Sequence, residues 1–308
     1  MTWPALTYAT WKHTGASLHM WAQIVGKFRL AQTPWVNHSW HATLYPDARG
    51  LTTGLIPGGV DVRFDLVDHR LEITATSGAQ SGFDLEPMPV AQFDAAFKQA
   101  LDHVGAPTDY HHFPNEVPDP MPFRDQTGPG HYNAEAAHAW WQAIAAMTPV
   151  FQQFRTGFLG KVSPVHLFWG SFDLAVTRFS GRPAPLHPGG FPALPDAVTQ
   201  EAYSHEVSSA GFWAGGNGAD DAMFYSYAYP VPDGFGAAPA GPEGAYYDTS
   251  LGEFLMPYRT VAEADDPAAV LLDFLLATYD AAASLGDWDP SLTCQMGLPR
   301  IPRPVSGP

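Results

Sequence analysis

The sequence predicts an α+β fold in which antiparallel sheets are braced by helices. Two patterns lead to this prediction. In some segments apolar residues recur every three or four positions, as in an amphipathic helix, and in others apolar and polar residues alternate, as in a half-buried strand. Both halves of the chain run helix, strands, helix. An internal duplication of this helix–strands–helix unit is therefore one option for the fold.

Four segments have the spacing of a helix. In the first, Leu18, Trp21 and Val25 fall on one face. Asn133 and Asp266 precede two of the others, and both are residue types that accept a hydrogen bond from the first turn of a helix. The predicted helices span 16–30, 89–104, 133–158 and 266–286.

Alternating segments predict the strands, and the clearest case is a hairpin. Val62 and Phe64 alternate with polar residues before Asp68 and His69 turn the chain into a second alternating run at 71–74. Further strands are predicted at 34–45, 163–179, 203–213, 223–230 and 247–258.

Prolines and glycines divide the chain. Its 30 prolines and 29 glycines concentrate between the periodic segments, where they mark turns and loops. They predict an N-terminal α+β half over 1–110, a Pro-rich connecting loop over 111–132, a C-terminal α+β half over 133–290 and an extended tail over 291–308. The sequence leaves open whether the halves form one domain or two.

Composition narrows the choice of partners. The 308 residues carry 15 Lys and Arg against 31 Asp and Glu, a formal net charge of −16, which disfavours nucleic acid and membrane surfaces. The first residues lack a signal-peptide pattern, and no apolar run reaches the length of a membrane span, so we expect a soluble, cytoplasmic protein. Cys294 is the single cysteine, which leaves no internal disulfide. The oligomeric state stays open.

Six segments stand out as a set. The most distinctive are GKVSPVHLFWGSFDLAVTRFSGR at 160–182 and EAYSHEVSSAGFW at 201–213. The others are PWVNHSWHATLYPDARGLTT at 34–53, DLVDHRLEI at 65–73, PNEVPDPMPF at 114–123 and GEFLMPY at 252–258. Together they resemble an uncharacterised bacterial family, domain of unknown function 5996. The resemblance covers nearly the whole chain and implies one shared architecture, but it implies no activity and no catalytic residue.

Familiar catalytic and nucleotide-binding motifs do not occur in the sequence. It has no G-x-x-x-x-G-K-[ST], H-E-x-x-H or G-x-S-x-G pattern. GGNG at 215–218 neither follows a βαβ pattern nor opens a helix. We therefore expect no nucleotide cofactor.

Strand parity sorts the polar residues into two sets, because alternate residues point to opposite faces of a sheet. The first set is His38, His166 and His205, each two residues from an aromatic side chain such as Tyr203. Three neutral imidazoles in an apolar pocket suit Zn²⁺ or Fe²⁺. The alternative is that each is a core histidine bonded to the backbone.

The second set is His41, Asp173 and Glu206, on the opposite faces of the same predicted strands. One imidazole with two carboxylates suits iron or manganese, or a general acid–base group without a metal. Trp169 and Tyr45 share these faces, which suggests a ligand-binding surface. A solvent-facing surface with incidental charges is the alternative.

Two further residues are candidates for ligand binding. Arg178 stands near the end of a predicted strand, where a guanidinium can clamp a carboxylate or form an ion pair with a nearby Asp. Glu116 lies in the Pro-rich loop between the halves, which either holds a binding carboxylate or braces the two halves.

The leading functional prediction is a small-molecule enzyme with a His/Asp/Glu site between the two halves, with a divalent metal such as Fe, Mn or Zn as an option. One alternative is a non-catalytic protein that binds a small organic ligand in an aromatic-lined cavity. Another is an interaction protein whose histidines only satisfy its core. The substrate and the reaction stay open.

Overall fold

Two antiparallel sheets form the framework of this computed structural model, which describes residues 3–216 and 221–297. The first sheet is a meander of Tyr45–Pro46 (β1), Gly50–Thr52 (β2), Val60–Asp65 (β3), Arg70–Ala75 (β4) and Gln80–Asp84 (β5). The second contains His166–Phe168 (β6), Asp173–Pro183 (β7), His205–Trp213 (β8), Met223–Tyr229 (β9), Tyr246–Asp248 (β10) and Glu253–Pro257 (β11). Its spatial order is β10-β11-β9-β8-β7-β6.

Helices cover these sheets. They are Tyr8–Gln32 (α1), Val90–His103 (α2), Ala134–Arg155 (α3), Asp196–Ala202 (α4), Tyr258–Ala262 (α5) and Pro267–Leu285 (α6). The two predicted N-caps are confirmed: Asn133 accepts from the backbone of Ala136 at 2.9 Å, and Asp266 accepts from that of Ala269 at 3.1 Å. Each cap satisfies an amide that has no partner within the helix.

The predicted hairpin is confirmed as β3 and β4, in which Val62 pairs with Ile73 and Phe64 pairs with Leu71. All four of these side chains are buried, because strict alternation places them on the face that meets the helices. The α+β class is thus confirmed. The internal duplication is not confirmed, since the two sheets differ in strand number and order. The division of the chain at 110 and 133 stays a prediction.

Three predicted strands were wrong in part. Segment 34–45 forms a 3₁₀ turn at Asn37–Ser39 followed by turns, and it reaches a sheet only at Tyr45. Segment 163–179 is a hairpin of β6 and β7, and 247–258 contains the hairpin of β10 and β11. A hairpin reverses the chain, so strand parity no longer assigns faces along its whole length. The predicted tail lies outside the described residues from 298 onward, and GGNG lies outside them at 217 and 218.

Helix α6 is the one helix in the described ranges that is long and apolar enough to cross a membrane, with a mean hydropathy of 1.5. One such helix is weak evidence for a membrane span, because the core helix of a soluble protein can pass the same test. Leu271, Phe274 and Leu275 on α6 are buried within the core that both sheets share. This packing is compatible with a soluble protein.

Candidate functional site

One face of the second sheet is unusually polar. The register pairs Ala175 with Gly211 and Gly211 with Tyr225, so these residues share a face with their neighbours two positions along each strand. This face includes Asp173, Thr177, Ser209, Tyr225, Tyr227 and Glu253. The opposite face is apolar: Phe212 and Phe224 are buried, and the Phe224 ring lies 6.5 Å from that of Phe151 on α3. The main core therefore packs against the apolar face, and the polar residues lie on the face turned away from it.

Asp173 begins β7 and is only 9% exposed. The hydroxyl groups of Ser171 and Tyr225 donate hydrogen bonds to its two carboxylate oxygens. Tyr225 reaches the Asp173 carboxylate by passing over Gly211. A Cβ added to Gly211 would lie 2.3 Å from the tyrosine hydroxyl, so a glycine at this position leaves room for the contact. Burial raises the pKa of Asp173, although these two hydrogen bonds oppose the change. Asp173 is thus a positioned carboxyl that holds its proton more tightly than an exposed one.

The Pro-rich loop brings a second carboxyl to Asp173. Glu116 Oε1 lies 1.9 Å from the position that a Cβ on Gly170 would occupy, so glycine is needed for this approach. Burial raises the pKa of Glu116 to about 7; nearby Asp173 adds to the change, and Lys27 opposes it. Among the described residues, none donates a hydrogen bond to this carboxyl. Glu116 is therefore a half-buried acid that can exchange a proton near neutral pH.

The backbone around this pair adopts uncommon conformations. Glu116, Phe172 and Ala193 all have positive φ, at 59°, 60° and 51°. Each such position costs on the order of 1–3 kcal/mol in a non-glycine residue, and such positions cluster at functional sites. The Glu116 amide donates to the Pro192 carbonyl at 2.8 Å, which holds two of these segments together. Three strained positions therefore surround the carboxyl pair.

Helix α1 holds the loop in place. Gln23 bonds the backbone of Asn115 on both sides, donating to its carbonyl at 2.7 Å and accepting from its amide at 2.9 Å. Lys27 donates to the Asn115 side chain, and its ammonium lies 5.3 Å from the Trp169 ring centre. Burial lowers the pKa of Lys27 to about 8, against the influence of Glu116. Lys27 is thus near the carboxyl pair without an ion pair to it.

A third carboxyl and several aromatic rings extend the polar face. Burial raises the pKa of Glu253 to about 7, with Asp173 and Asp248 adding to the effect. The hydroxyls of Tyr203 and Tyr227 are 2.8 Å apart, and both rings are half-buried. Carboxyl groups and amphipathic rings on one surface suit the recognition of a small polar molecule.

The predicted histidine set does not assemble. The His38 and His205 rings are 6.3 Å apart, but His38 bonds the Ala202 carbonyl at 2.9 Å and Lys161 at 2.6 Å. His166 is fully buried, and neither of its ring nitrogens has a hydrogen-bond partner among the described residues. No group of three His, Cys, Asp or Glu within 3–216 and 221–297 is arranged to hold a metal ion.

The second set does not assemble either. His41 Nδ1 bonds the backbone of Val36 at 3.1 Å. Glu206 pairs with Arg182 at 2.7 Å, and it lies on the face of β8 opposite to that of Asp173. The parity argument failed here because segment 34–45 is not a strand and 163–179 is not a single one. Of this set, only Asp173 lies near the other two carboxyl groups, those of Glu116 and Glu253.

Of the other predicted residues, some lie near Asp173 and others are buried in the core. Trp169 contacts Lys27, and Tyr203 and Glu116 belong to the polar cluster. Arg178 is 1% exposed and donates to the Phe154 carbonyl, and its guanidinium lies 3.5 Å from the Phe154 ring centre. This places Arg178 on the apolar face, away from Asp173. The Tyr45 ring lies 5.2 Å from the Arg29 guanidinium.

Sequence reasoning missed Lys27 and Glu253. The sequence did contain a sign that Lys27 is unusual, because this lysine lies between Val25 and Phe28 in the apolar part of α1. A lysine inside the apolar part of a helix needs a buried partner or an unusual role. Glu253 had no such signal, since only the strand register brings it near Asp173.

The fold and the polar face define an α+β protein in which partly buried carboxyl groups, among them Asp173 and Glu116, gather at one face of the second sheet. The sequence model of the family described as "Family of unknown function (DUF5996)" matches residues 3–294. The chain therefore belongs to this family, as the resemblance predicted. Comparison with the curated proteins and with solved structures found no match.

Proposed function

We propose that this chain is a small-molecule enzyme in which Glu116 and Asp173 act as an acid–base pair. The observation that carries this proposal is the approach of two carboxyl groups that no cation pairs within the described part of the chain. The charge of Asp173 disfavours ionisation of Glu116, so Glu116 keeps its proton to a higher pH than an exposed acid does. Such a pair can both donate and accept protons near pH 7.

The two carboxyls have different roles in this proposal. The hydroxyls of Ser171 and Tyr225 donate to Asp173, so its carboxyl group is held in a defined place. Glu116 lacks a hydrogen-bond donor among the residues described, which leaves its oxygens for the substrate. Lys27 supplies a nearby positive charge that favours negative charge developing on a bound molecule.

Glu253 and the tyrosine pair support a small polar substrate. Their half-buried side chains extend the surface beside Asp173, where they offer hydroxyl, carboxyl and ring contacts. The proposal does not depend on a metal. Composition supports a cytoplasmic location and disfavours nucleic acid and membranes as partners.

A ligand screen followed by a turnover assay tests this function. The wild-type protein is screened by thermal shift against a collection of small polar metabolites at pH 7, and each hit is followed by NMR for consumption. We expect a stabilising hit that is turned over by the wild type. Glu116→Gln and Asp173→Asn should bind it while losing at least about a hundredfold in turnover.

Glu72→Gln, which changes a carboxylate on the first sheet, is the matched control and should retain turnover. Equal turnover by Glu116→Gln and the wild type would overturn the proposal. Binding without any turnover by the wild type would instead favour the non-catalytic ligand-binding alternative.

A further inference from the structure

The His166 imidazole is the most poorly satisfied polar group in the described structure. Its side chain is fully buried, yet neither ring nitrogen makes a hydrogen bond. The buried Nε of Arg155 also lacks a partner. An unmade hydrogen bond in a buried group costs about 1–3 kcal/mol, so each such group in a native protein needs an explanation.

Two arginines act electrostatically on this imidazole. Burial lowers the pKa of His166 to about 3, and Arg155 and then Arg29 add to the change, so both guanidinium groups act on the ring. Neither arginine forms an ion pair with a carboxylate of the described residues. Asp61 influences Arg29 from a distance, but it accepts a hydrogen bond from the Thr52 hydroxyl. The charges of the buried Arg29 and the half-buried Arg155 thus have no bonded counter-ion among the described residues.

The groups come from four elements that meet where the two sheets join. Leu44 and Leu167 exchange backbone hydrogen bonds of 3.0 and 2.8 Å in an antiparallel bridge. Tyr45 therefore lies opposite His166, and their side chains share a face. Arg29 comes from the last turn of α1; its Nε donates to the His41 carbonyl at 2.8 Å. The guanidinium also bonds the Tyr45 side chain, whose ring centre lies 5.2 Å away. A guanidinium has five N–H groups, so these two bonds leave others for a further acceptor.

Arg155 lies in the last turn of α3 and donates to the Gln152 side chain at 2.7 Å. A cation in this position interacts favourably with the helix dipole, which accounts for one arginine at the end of each helix. The dipole does not account for the unpartnered imidazole or for the buried Nε. Those two groups need an acceptor that the described residues do not provide.

We propose that this junction binds a small oxyanion, which Arg29 and Arg155 hold through their guanidinium groups and His166 holds through a ring N–H. Planar guanidinium groups match the spacing of phosphate, sulfate and carboxylate oxygens. The anion provides the missing acceptor and neutralises the buried charge. This site is independent of the carboxyl pair, whose own side chains repel an anion.

Binding should be linked to the protonation of His166. An anion beside the ring opposes the effect of the two arginines, so it raises the pKa of His166 from its low value in the free protein. Proton uptake then accompanies binding, and affinity for the anion increases as the pH falls. Arg29 and Arg155 act on the ring directly, Tyr45 shares its face, and His41 and Asp61 interact with Arg29.

The experiment titrates the full chain with inorganic phosphate, sulfate or acetate at constant ionic strength, with chloride as the reference. Thermal shift measures binding, and the ring ¹⁵N signals of His166 report the local contact. We expect saturable stabilisation and a shift of the His166 signals. Arg155→Gln should weaken binding at least tenfold, whereas Arg124→Gln, an exposed arginine, should not change it.

Two further variants complete the test. His166→Phe replaces an unpartnered ring by an apolar one, so it should fold and lose the anion response. Glu116→Gln should bind the anion as the wild type does, which separates this site from the proposed acid–base function. Phosphate is distinguished from carboxylate by whether phosphate or acetate saturates at the lower concentration. Stabilisation that is not saturable, or that Arg155→Gln retains in full, would overturn the proposal, because it would reflect a general salt effect.

Discussion

The first sheet and the polar face of the second sheet treat their carboxylates in opposite ways. On the first sheet, Asp65 pairs with Arg49, Asp84 pairs with Arg70, and Asp47 lies 2.7 Å from Arg63. On the polar face of the second sheet, Asp173 and Glu253 have no ion pair with any residue that the structure describes, and neither does Glu116 beside them. The same chemical group is therefore neutralised in one region and left unpaired in the other.

The pKa values follow this difference. Burial alone would raise the pKa of Asp65, but hydrogen bonds from Arg49 and from the backbone amides of Asp68 and Val67 bring it below its ordinary value. Burial raises the pKa of Glu116 to about 7, with no bonded cation to reverse the change. The first arrangement stabilises the fold. The second costs stability, which is typical of groups retained for chemistry.

The largest expected effect is on the first sheet. Asp65→Ala removes the partner of Arg49 and the acceptor of two backbone amides, at 2.9 and 2.8 Å. Because Asp65 is buried, we expect the free energy of unfolding to fall by about 2–4 kcal/mol. Urea unfolding measures it. Asp84→Ala, at an exposed ion pair, is the control, and equal losses in the two variants would contradict the comparison.

The next effect concerns the unpaired carboxyl. Between about pH 4.5 and 7, the folded protein keeps the Glu116 proton that the unfolded chain loses, so the stability of the wild type falls as the pH rises. Glu116→Gln abolishes this contribution. Relative to the wild type, the variant should gain up to about 3 kcal/mol between pH 4.5 and pH 8. Unfolding curves at several pH values measure the gain.

Glu72→Gln is the matched control for this pH dependence, because it removes a carboxylate from the first sheet. Parallel stability profiles for Glu116→Gln and the wild type would show that Glu116 titrates as an ordinary exposed acid.

A smaller effect is expected from the neighbouring cation. Lys27→Met keeps a long side chain in α1 but removes the charge that lowers the pKa of Glu116. The titration midpoint of the Glu116 carboxyl should move upward, by an amount that corresponds to about 1 kcal/mol. Carboxyl ¹³C NMR follows it directly. A downward movement is incompatible with the arrangement described.

The smallest effect is expected at an exposed ion pair of the first sheet. Both Arg70 and Asp84 are largely open to solvent, so water screens their attraction. Arg70→Gln should change the free energy of unfolding by less than about 1 kcal/mol. A loss as large as that of Asp65→Ala would mean that exposure does not separate these two pairs.

Much of the regular structure was predictable because its signals are local. The hairpin of β3 and β4 buries one face against helices, so alternation alone reveals it. The turn at His38 and Ser39 was not predictable, because contacts from Ala202, Lys161 and Glu201 hold that backbone in the left-handed region. The turn between β6 and β7 carries Phe172 with positive φ, which is an uncommon place for a bulky residue.

The candidate site was predictable only in part. Asp173, Glu116, Trp169 and Tyr203 were selected from the sequence as candidate site residues, but the approach of Glu116 to Asp173 was not predicted. Glu116 meets Asp173 because α1 clamps the Pro-rich loop through Gln23 and Lys27. Such contacts join residues far apart in the chain, and strand parity carries no information about them.

By itself, the sequence determined the α+β class, the main helices with two of their caps, the strongest hairpin and the family, because periodicity and capping depend on neighbouring residues. Only the tertiary structure decided which polar groups meet. It left the described carboxyls on the polar face of the second sheet without cations and brought Arg29 and Arg155 close enough to His166 to lower its pKa. These pairings depend on loop paths and strand register, which arise from the packing of the whole chain.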